Sequence, residues 1–241
     1  MKILHPRKSI RGNALWFILI AIFLLAALTM LITRTSSQTE ETGDIERLNV
    51  AASQVIRYAA GMQATVTRML SSGVGENQIS FANTAYKLCN GTTNIQGPGH
   101  NPNCTKPDCE IFNVAGGGLT PQMAPEVLRS TATCTLWQMG AAALNTRQVL
   151  DVGTAANDLT LEIYGMTREA CIAINRILGI TNPGGAPPVE NDSSIFEFTG
   201  SYSAATGIIG DEVASLRGKK SFCLERAADN DYHFYTVLIP R

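Results

Sequence analysis

The chain has 241 residues, a formal net charge of −1 at pH 7, and 16% charged residues. Nucleic-acid-binding proteins usually carry a marked basic excess, so we expect no nucleic acid among the partners. The length leaves room for a folded domain of roughly 150 to 170 residues beside a shorter N-terminal segment.

A long apolar run lies near the N-terminus. Residues 13–32 include no charged side chain, and only Asn13 and Thr29 are polar. As a helix rising about 1.5 Å per residue, twenty residues extend about 30 Å, the thickness of a bilayer's hydrocarbon core. A soluble domain seldom buries a helix that is apolar on every face. The run therefore predicts a transmembrane helix over residues 13–32, surrounded by membrane lipid.

The charges flanking this run predict its orientation. Four basic residues and no acidic one precede it, whereas acidic residues predominate between residues 40 and 46. By the positive-inside rule, the N-terminus is cytoplasmic and the chain beyond the run lies outside. Six cysteines follow the run: Cys89, Cys104, Cys109, Cys134, Cys171 and Cys223. In an oxidising compartment this even number predicts up to three disulfides.

The start of the run has a recognisable motif. A basic leader over residues 1–12 closes on Arg-Gly and is followed at once by Asn-Ala-Leu-Trp-Phe-Ile-Leu-Ile. This resembles the class III signal of type IV pilin-like proteins. The resemblance implies that a prepilin peptidase cuts between Gly12 and Asn13 on the cytoplasmic side. It also implies a bacterial inner-membrane protein whose apolar helix later packs against other pilin-like subunits in a filament.

Two positions depart from the major members of that family. The first mature residue would be Asn13 where a phenylalanine or methionine is usual. The fifth would be Phe17, where major pilins have a glutamate that pairs with a neighbouring subunit's N-terminal amine. Some minor members also lack this glutamate, so the resemblance implies a minor pilin or pseudopilin. The alternative is a single-pass anchored, extracytoplasmic binding protein in which Gly12 has no special role.

A second helical pattern follows the apolar run. Residues 33–44 are rich in Thr and Ser and contain Gly43, which predicts a helix break or linker. Apolar residues then recur at spacings of three and four, which predicts an amphipathic helix over residues 45–72. The positions of this apolar seam are Ile45, Leu48, Ala52, Val55, Ala59, Met62, Val66 and Met69. We expect the seam to pack on the chain's own domain, with a free coiled coil as the alternative.

Residues 73–241 are predicted to form an extracytoplasmic α+β head. Its first part is rich in Gly, Asn, Thr and Pro and contains three of the cysteines. A zinc site made from these cysteines and His100 is one alternative. Zinc sites favour close cysteine pairs, whereas fourteen and four residues separate these, so disulfides are favoured. The pairs Cys104–Cys109 and Cys89–Cys134 are our suggestion, because the sequence does not determine the connectivity.

The rest of the head alternates helices and strands. A short helix is predicted over residues 121–129. A second is predicted from its N-terminal cap, Thr167, to about Leu178, with Gly179 as its C-terminal stop. Strands are predicted over residues 131–139, 159–164, 195–199, 220–226 and 232–239. The last two strands should form a terminal antiparallel hairpin. The fold class is therefore α+β, with a long N-terminal helix on an antiparallel-sheet head.

The order of elements and cysteines in this region carries a second resemblance to known proteins. A strand, a tight turn and a helix with one cysteine precede a second cysteine in the C-terminal sheet. This arrangement is similar to the head of type IVb pilins. There the two cysteines are joined, so the resemblance implies a Cys171–Cys223 disulfide.

No group of residues indicates catalysis or a cofactor. The histidines are scattered, and the glycine run at residues 116–118 lacks the lysine of a phosphate-binding loop. Two acidic pairs could supply calcium ligands: Asp229 with Asp231, and Glu190 with Asp192. Turn chemistry explains these pairs better, because calcium takes six to eight oxygen ligands. We expect no enzymatic activity, no metal and no cofactor.

Overall fold

The structure is a computed structural model that describes residues 13–82, 100–120, 122, 125–128, 144–191, 198–202, 207–228 and 230–241. Within these residues it has two α-helices, α1 over Asn13–Ser71 and α2 over Arg168–Leu178. The strands are β1 Leu144–Val149, β2 Asp158–Met166, β3 Val189–Glu190, β4 Ile208–Ile209, β5 Ser221–Arg226 and β6 Asp231–Ile239. Short 3-10 turns occur at Pro107–Cys109, Pro125–Val127, Pro183–Gly185 and Ala214–Leu216. The predicted α+β class is confirmed.

Helix α1 is uninterrupted across residues 33–44, so the predicted helix break there is wrong. Thr and Ser each cost a helix less than about 0.7 kcal/mol relative to alanine, and a single glycine costs about 1 kcal/mol. The stretch contains no proline, which is the residue that would break the helix. The chain divides into two compact units, residues 1–47 and residues 48–241, so their boundary lies inside this helix.

In the second unit, α1 buries one apolar stripe. The seam residues with at most 1% exposure are Ala52, Val55, Ala59, Met62, Val66 and Met69. Leu48 is partly buried against the same core. These positions confirm that the seam packs on its own domain. Ile45 is 48% exposed and does not belong to the stripe, because it lies before the second unit begins.

The strands form one mixed sheet in the order β3-β5-β6-β2-β1-β4. Its four central strands are antiparallel, and β6 lies between β5 and β2. The two edge strands, β3 and β4, are parallel to their neighbours. The prediction of a purely antiparallel sheet is therefore wrong at both edges, where strands of two residues give no alternating pattern in the sequence.

Helix α2 packs on β5 and β6 and has caps at both ends. The Thr167 hydroxyl accepts a hydrogen bond from the Ala170 N–H at 3.2 Å, and Gly179 ends the helix with φ 69°. Both caps are the residues that the sequence predicts. The buried Asn175 side chain bonds both backbone groups of Cys223 at 2.8 Å, which fixes α2 against β5.

The second unit has two apolar cores. The larger core contains the α1 stripe, α2 residues Ala170 and Ile174, and sheet residues such as Leu161 and Phe234. The smaller core includes Phe222, Leu224, Tyr235 and Val237. Because 222 and 224 alternate with 223 along β5, the two cores lie on opposite faces of the sheet.

Several predictions lie outside the described residues. These are the leader over residues 1–12, the Cys89–Cys134 pair, the strand over residues 131–139 and residues 195–197 of another strand. Part of the helix predicted over residues 121–129 is also outside, while Pro125–Val127 forms a 3-10 turn.

Candidate functional site

The apolar side chains of α1 in the first unit are exposed. Over residues 16–30 the exposed fractions include 64% for Trp16, 75% for Phe23 and 68% for Leu25. The hydroxyl of Thr29 is the polar exception, and it bonds inside the helix to the Leu25 carbonyl at 2.7 Å. A large exposed apolar surface marks a site of association with protein or lipid. Residues 16–30 are therefore the candidate assembly surface.

The structure describes only some of the residues predicted to take part in leader cleavage or in pairing with a neighbouring subunit. Gly12 lies outside the described residues, and Asn13 is the first residue of α1. Phe17 is 63% exposed, and the first turn of α1 has no acidic residue. Within the fully described parts of the chain, no helical stretch meets the length and hydropathy of a membrane crossing. The membrane segment over residues 13–32 stays a prediction.

Two disulfides join cysteines in the head. Cys104 and Cys109 have Cα atoms 5.6 Å apart, and those of Cys171 and Cys223 are 5.3 Å apart. Both pairs agree with the sequence-based expectations. The second disulfide links α2 to β5 in the larger core, where both cysteines are fully buried. In the Cys104–Cys109 disulfide neither sulfur is a thiolate. The zinc site suggested for three cysteines and His100 therefore loses two of its four ligands.

Asn101 organises the loop-rich start of the head. Its fully buried side-chain NH2 group donates to the carbonyls of Asn77 and Ile79 at 2.8 and 2.9 Å. Its carbonyl accepts from the Asn103 N–H at 2.9 Å. A Cβ atom at Gly200 would lie 2.4 Å from this carbonyl oxygen, which explains the glycine there. One asparagine thus ties residues 77–79 to the loop that carries Cys104.

A polar cluster that the sequence analysis missed is buried in the sheet. Glu162 on β2 accepts a hydrogen bond from the Tyr235 hydroxyl at 2.5 Å, and its carboxylate is 2.6 Å from Nδ1 of His233. Burial, and then the Glu162 charge, raise the pKa of Tyr235 well above its usual value. All three side chains are at most 1% exposed, so no substrate reaches them. The cluster is structural.

Three carboxyl groups meet at a loop beside β3. Oxygens of Glu190, Asp211 and Glu212 lie within 4.8 Å of one another. Hydrogen bonds, first from Glu190 and then from Asp211, lower the pKa of Glu212 to about 2. The hydrogen bond to Glu212 in turn raises the pKa of Asp211. Three carboxylates fall short of a calcium ion's six to eight ligands.

Only Glu190 and Asp231 of the two acidic pairs lie within the described residues. Glu190 meets Asp211 and Glu212, which follow it by about twenty residues, whereas Asp192 and Asp229 lie outside the described residues. Asp231 instead places a carboxylate oxygen 3.9 Å from Nε2 of His233. Sequence position alone could not have indicated the contact of Glu190 with Asp211, because about twenty residues separate them and no periodic pattern relates the two positions.

Comparison with known proteins found no matching protein-family model, no similar curated protein and no similar solved structure. The interpretation of the chain therefore depends on its own residues and their geometry.

Proposed function

We propose that the chain is a minor pilin-like structural subunit that assembles into a type IV pilus-like filament or a secretion pseudopilus. The observation that carries this proposal is the exposed apolar surface of residues 16–30, which follows directly on a basic leader ending at Gly12. A helix that exposes bulky apolar side chains on all its faces needs lipid or other helices around it.

The proposed mechanism is assembly without catalysis. The segment over residues 13–32 first resides in the bacterial inner membrane, with the head on the extracytoplasmic side. The prepilin peptidase then removes residues 1–12, and the helix moves from lipid to a bundle of other subunits' helices. Both surroundings are apolar, so the free energy gained comes from close packing of side chains and not from leaving water.

Phe17 gives the subunit a proposed position in the filament. A subunit within the filament uses an acidic fifth residue to pair with the N-terminal amine of its neighbour. A subunit at the tip has no neighbour above it and does not need that pairing. We therefore place this chain at the tip, as an initiator, with the exposed Phe17 side chain available for apolar packing.

The head is consistent with an extracytoplasmic location. It has two disulfides among its described cysteines, and such bonds persist in oxidising compartments. The α1 stripe from Leu48 to Met69 is covered by the larger core, so this part of the helix belongs to the head. The competing function is that of a single-pass anchored binding protein. The presence of Phe17 where major pilins have a glutamate favours this alternative.

The N-terminus of the mature chain separates the two functions. The full chain would be produced with an active prepilin peptidase and its N-terminus determined by mass spectrometry. We expect a chain beginning at Asn13, and a Gly12→Leu variant that remains intact, while the leader variant Ser9→Ala is cut normally. A chain that keeps Met1, beside a control substrate that is fully processed, would refute the pilin-like function and favour the anchored binding protein.

A further inference from the structure

A polar cavity of about 500 Å³ opens in the head beside the last turn of α1. Its volume falls in the range of small-molecule sites, about 300 to 1,000 Å³. The polar side chains that line it include Arg68, Gln78, Asn103, Thr105, Lys106 and Asp108. Assembly through residues 13–32 does not use this cavity.

The walls of the cavity are held in place by the head's own bonds. The Cys104–Cys109 disulfide closes the loop that carries Lys106 and Asp108. The Arg68 guanidinium donates to the Gly117 carbonyl at 2.5 Å and so joins α1 to the opposite wall. A site that is ordered beforehand loses little conformational entropy when a ligand binds. The disulfide and the Arg68 bond therefore hold two walls of the cavity in place before any ligand binds.

The charges in the cavity point to an anionic and polar ligand. Arg68 uses Nη2 for the Gly116 and Gly117 carbonyls, and no described residue accepts a hydrogen bond from its Nε or Nη1. Lys106 and Asp108 are exposed, and neither side chain pairs with another described residue. Two cations against one anion suit a carboxylate, which arginine can bind through two parallel hydrogen bonds.

We propose that this cavity binds an acidic sugar, a polyhydroxylated ring that carries a carboxylate. The carboxylate pairs with Arg68 and Lys106, and ring hydroxyls donate to Asp108. The amide groups of Gln78 and Asn103 and the hydroxyl of Thr105 supply further donors and acceptors. A largely apolar ligand would displace water from these exposed polar groups without replacing its hydrogen bonds, which disfavours such a ligand. The inference concerns the head and is independent of the proposed assembly function.

Calorimetric titration of the full, oxidised chain in detergent tests this assignment. The probes are glucuronate, glucose and glucose 6-phosphate at matched ionic strength. We expect glucuronate to bind at least about tenfold more tightly than glucose, because charge-assisted hydrogen bonds form only with the acid. No binding of glucuronate, or equal binding of glucose, would overturn the proposal. Tighter binding of glucose 6-phosphate would replace the acidic sugar with a phosphate ligand.

Lys106→Gln is the decisive variant, since the Lys106 side chain bonds to no other described residue and its backbone bond to the Cys109 N–H is kept. We expect it to weaken glucuronate binding about tenfold while leaving glucose binding and the thermal unfolding midpoint unchanged. The matched control is Lys219→Gln, which removes an exposed lysine that does not line the cavity. Equal affinities for glucuronate in the two variants would show that Lys106 does not hold the anion and would contradict the site.

Discussion

At the scale of single residues, Asn101 is the polar side chain with the most structural consequence. It is fully buried, and both halves of its amide are used by backbone groups. The sequence shows only an asparagine in a Gly- and Pro-rich loop, a context in which asparagine usually forms a turn at the surface. Its partners Asn77 and Ile79 are more than twenty residues away, so local rules cannot predict them.

Asn101→Ala should lower the free energy of unfolding by about 3 kcal/mol. The substitution leaves the buried Ile79 carbonyl without its side-chain donor, and the Asn77 carbonyl and the Asn103 N–H each lose one partner. Urea unfolding followed by circular dichroism measures the change. Asn103→Ala is the control, because that side chain is exposed and its bond to the Asn77 carbonyl is long, at 3.2 Å, so a change within about 0.5 kcal/mol is expected. Equal losses in the two variants would contradict the role given to Asn101.

Asp158 should make the head less stable as the pH rises. Burial raises its pKa above the usual 3.8, even though the N–H groups of Arg241 and Val149 donate to its carboxylate. The folded chain therefore holds this proton more strongly than the unfolded chain does. The protonated Asp158 carboxyl group therefore contributes most to the stability of the folded chain below pH 3.8. This contribution is lost as the pH rises from 3.8 through the raised pKa of the folded state.

The measurement compares wild type with Asp158→Asn between pH 3.5 and pH 7 (a range chosen about the usual carboxyl pKa). The asparagine cannot ionise, so the free-energy difference between wild type and variant should shift in the variant's favour as the pH rises. Parallel stability curves over the whole range would show that the Asp158 pKa is not raised in the folded head.

At the scale of elements, the periodic spacing of apolar residues predicted the buried face of α1 correctly. The 3-and-4 spacing from Leu48 to Met69 predicted the buried stripe, and Thr167 and Gly179 marked the ends of α2. The continuity of α1 through residues 33–44 was not predictable in this way. Propensities there are weak and sum to only a few kcal/mol, which cooperative helix formation on both sides outweighs.

Met62→Ala should cost about 3 kcal/mol of unfolding free energy. The side chain is fully buried in the larger core, and its removal loses apolar burial and leaves a cavity. Thr67→Ala is the control on the same helix, since Thr67 is exposed and its hydroxyl bonds only to the Gln63 carbonyl one turn away. Denaturant titration should show little change for the control. Similar costs for both would mean that the seam is not the packed face.

The two described disulfides should differ in their contribution to stability. Cys171 and Cys223 are 52 residues apart, whereas Cys104 and Cys109 are 5 apart. From loop-closure entropy, replacing the first pair by alanine should cost about 4 kcal/mol and replacing the second about 2 kcal/mol. Chemical denaturation of the two double variants measures both values. A larger loss for the Cys104–Cys109 pair would contradict this order.

Local sequence patterns could not predict the contacts between segments that are distant in the chain. Strands β3 and β4 have two residues each and pair in parallel with β5 and β1. The buried Glu162–His233 contact joins residues 71 positions apart. The sequence analysis placed His233 on a strand but gave no reason to pair it with Glu162, because register between non-consecutive strands is set by the assembled sheet.

At the scale of the whole molecule, residues 48–241 form a unit with its own cores. We expect this fragment, produced under oxidising conditions, to unfold cooperatively and to retain the Cys171–Cys223 disulfide. Calorimetry and a non-reduced peptide digest measure these two properties. A broad, non-cooperative transition, or free thiols at both positions, would show that the head needs residues 1–47 to fold.

The short edge strands of the sheet affect whether the sheets of neighbouring copies can pair with one another. In the part of the chain that the structure describes, β3 and β4 close the two sheet edges with only two residues each. A longer exposed edge would let one sheet extend into the next by backbone pairing. The two-residue length of both described edges therefore limits how far the sheets of two neighbouring copies could join through these strands.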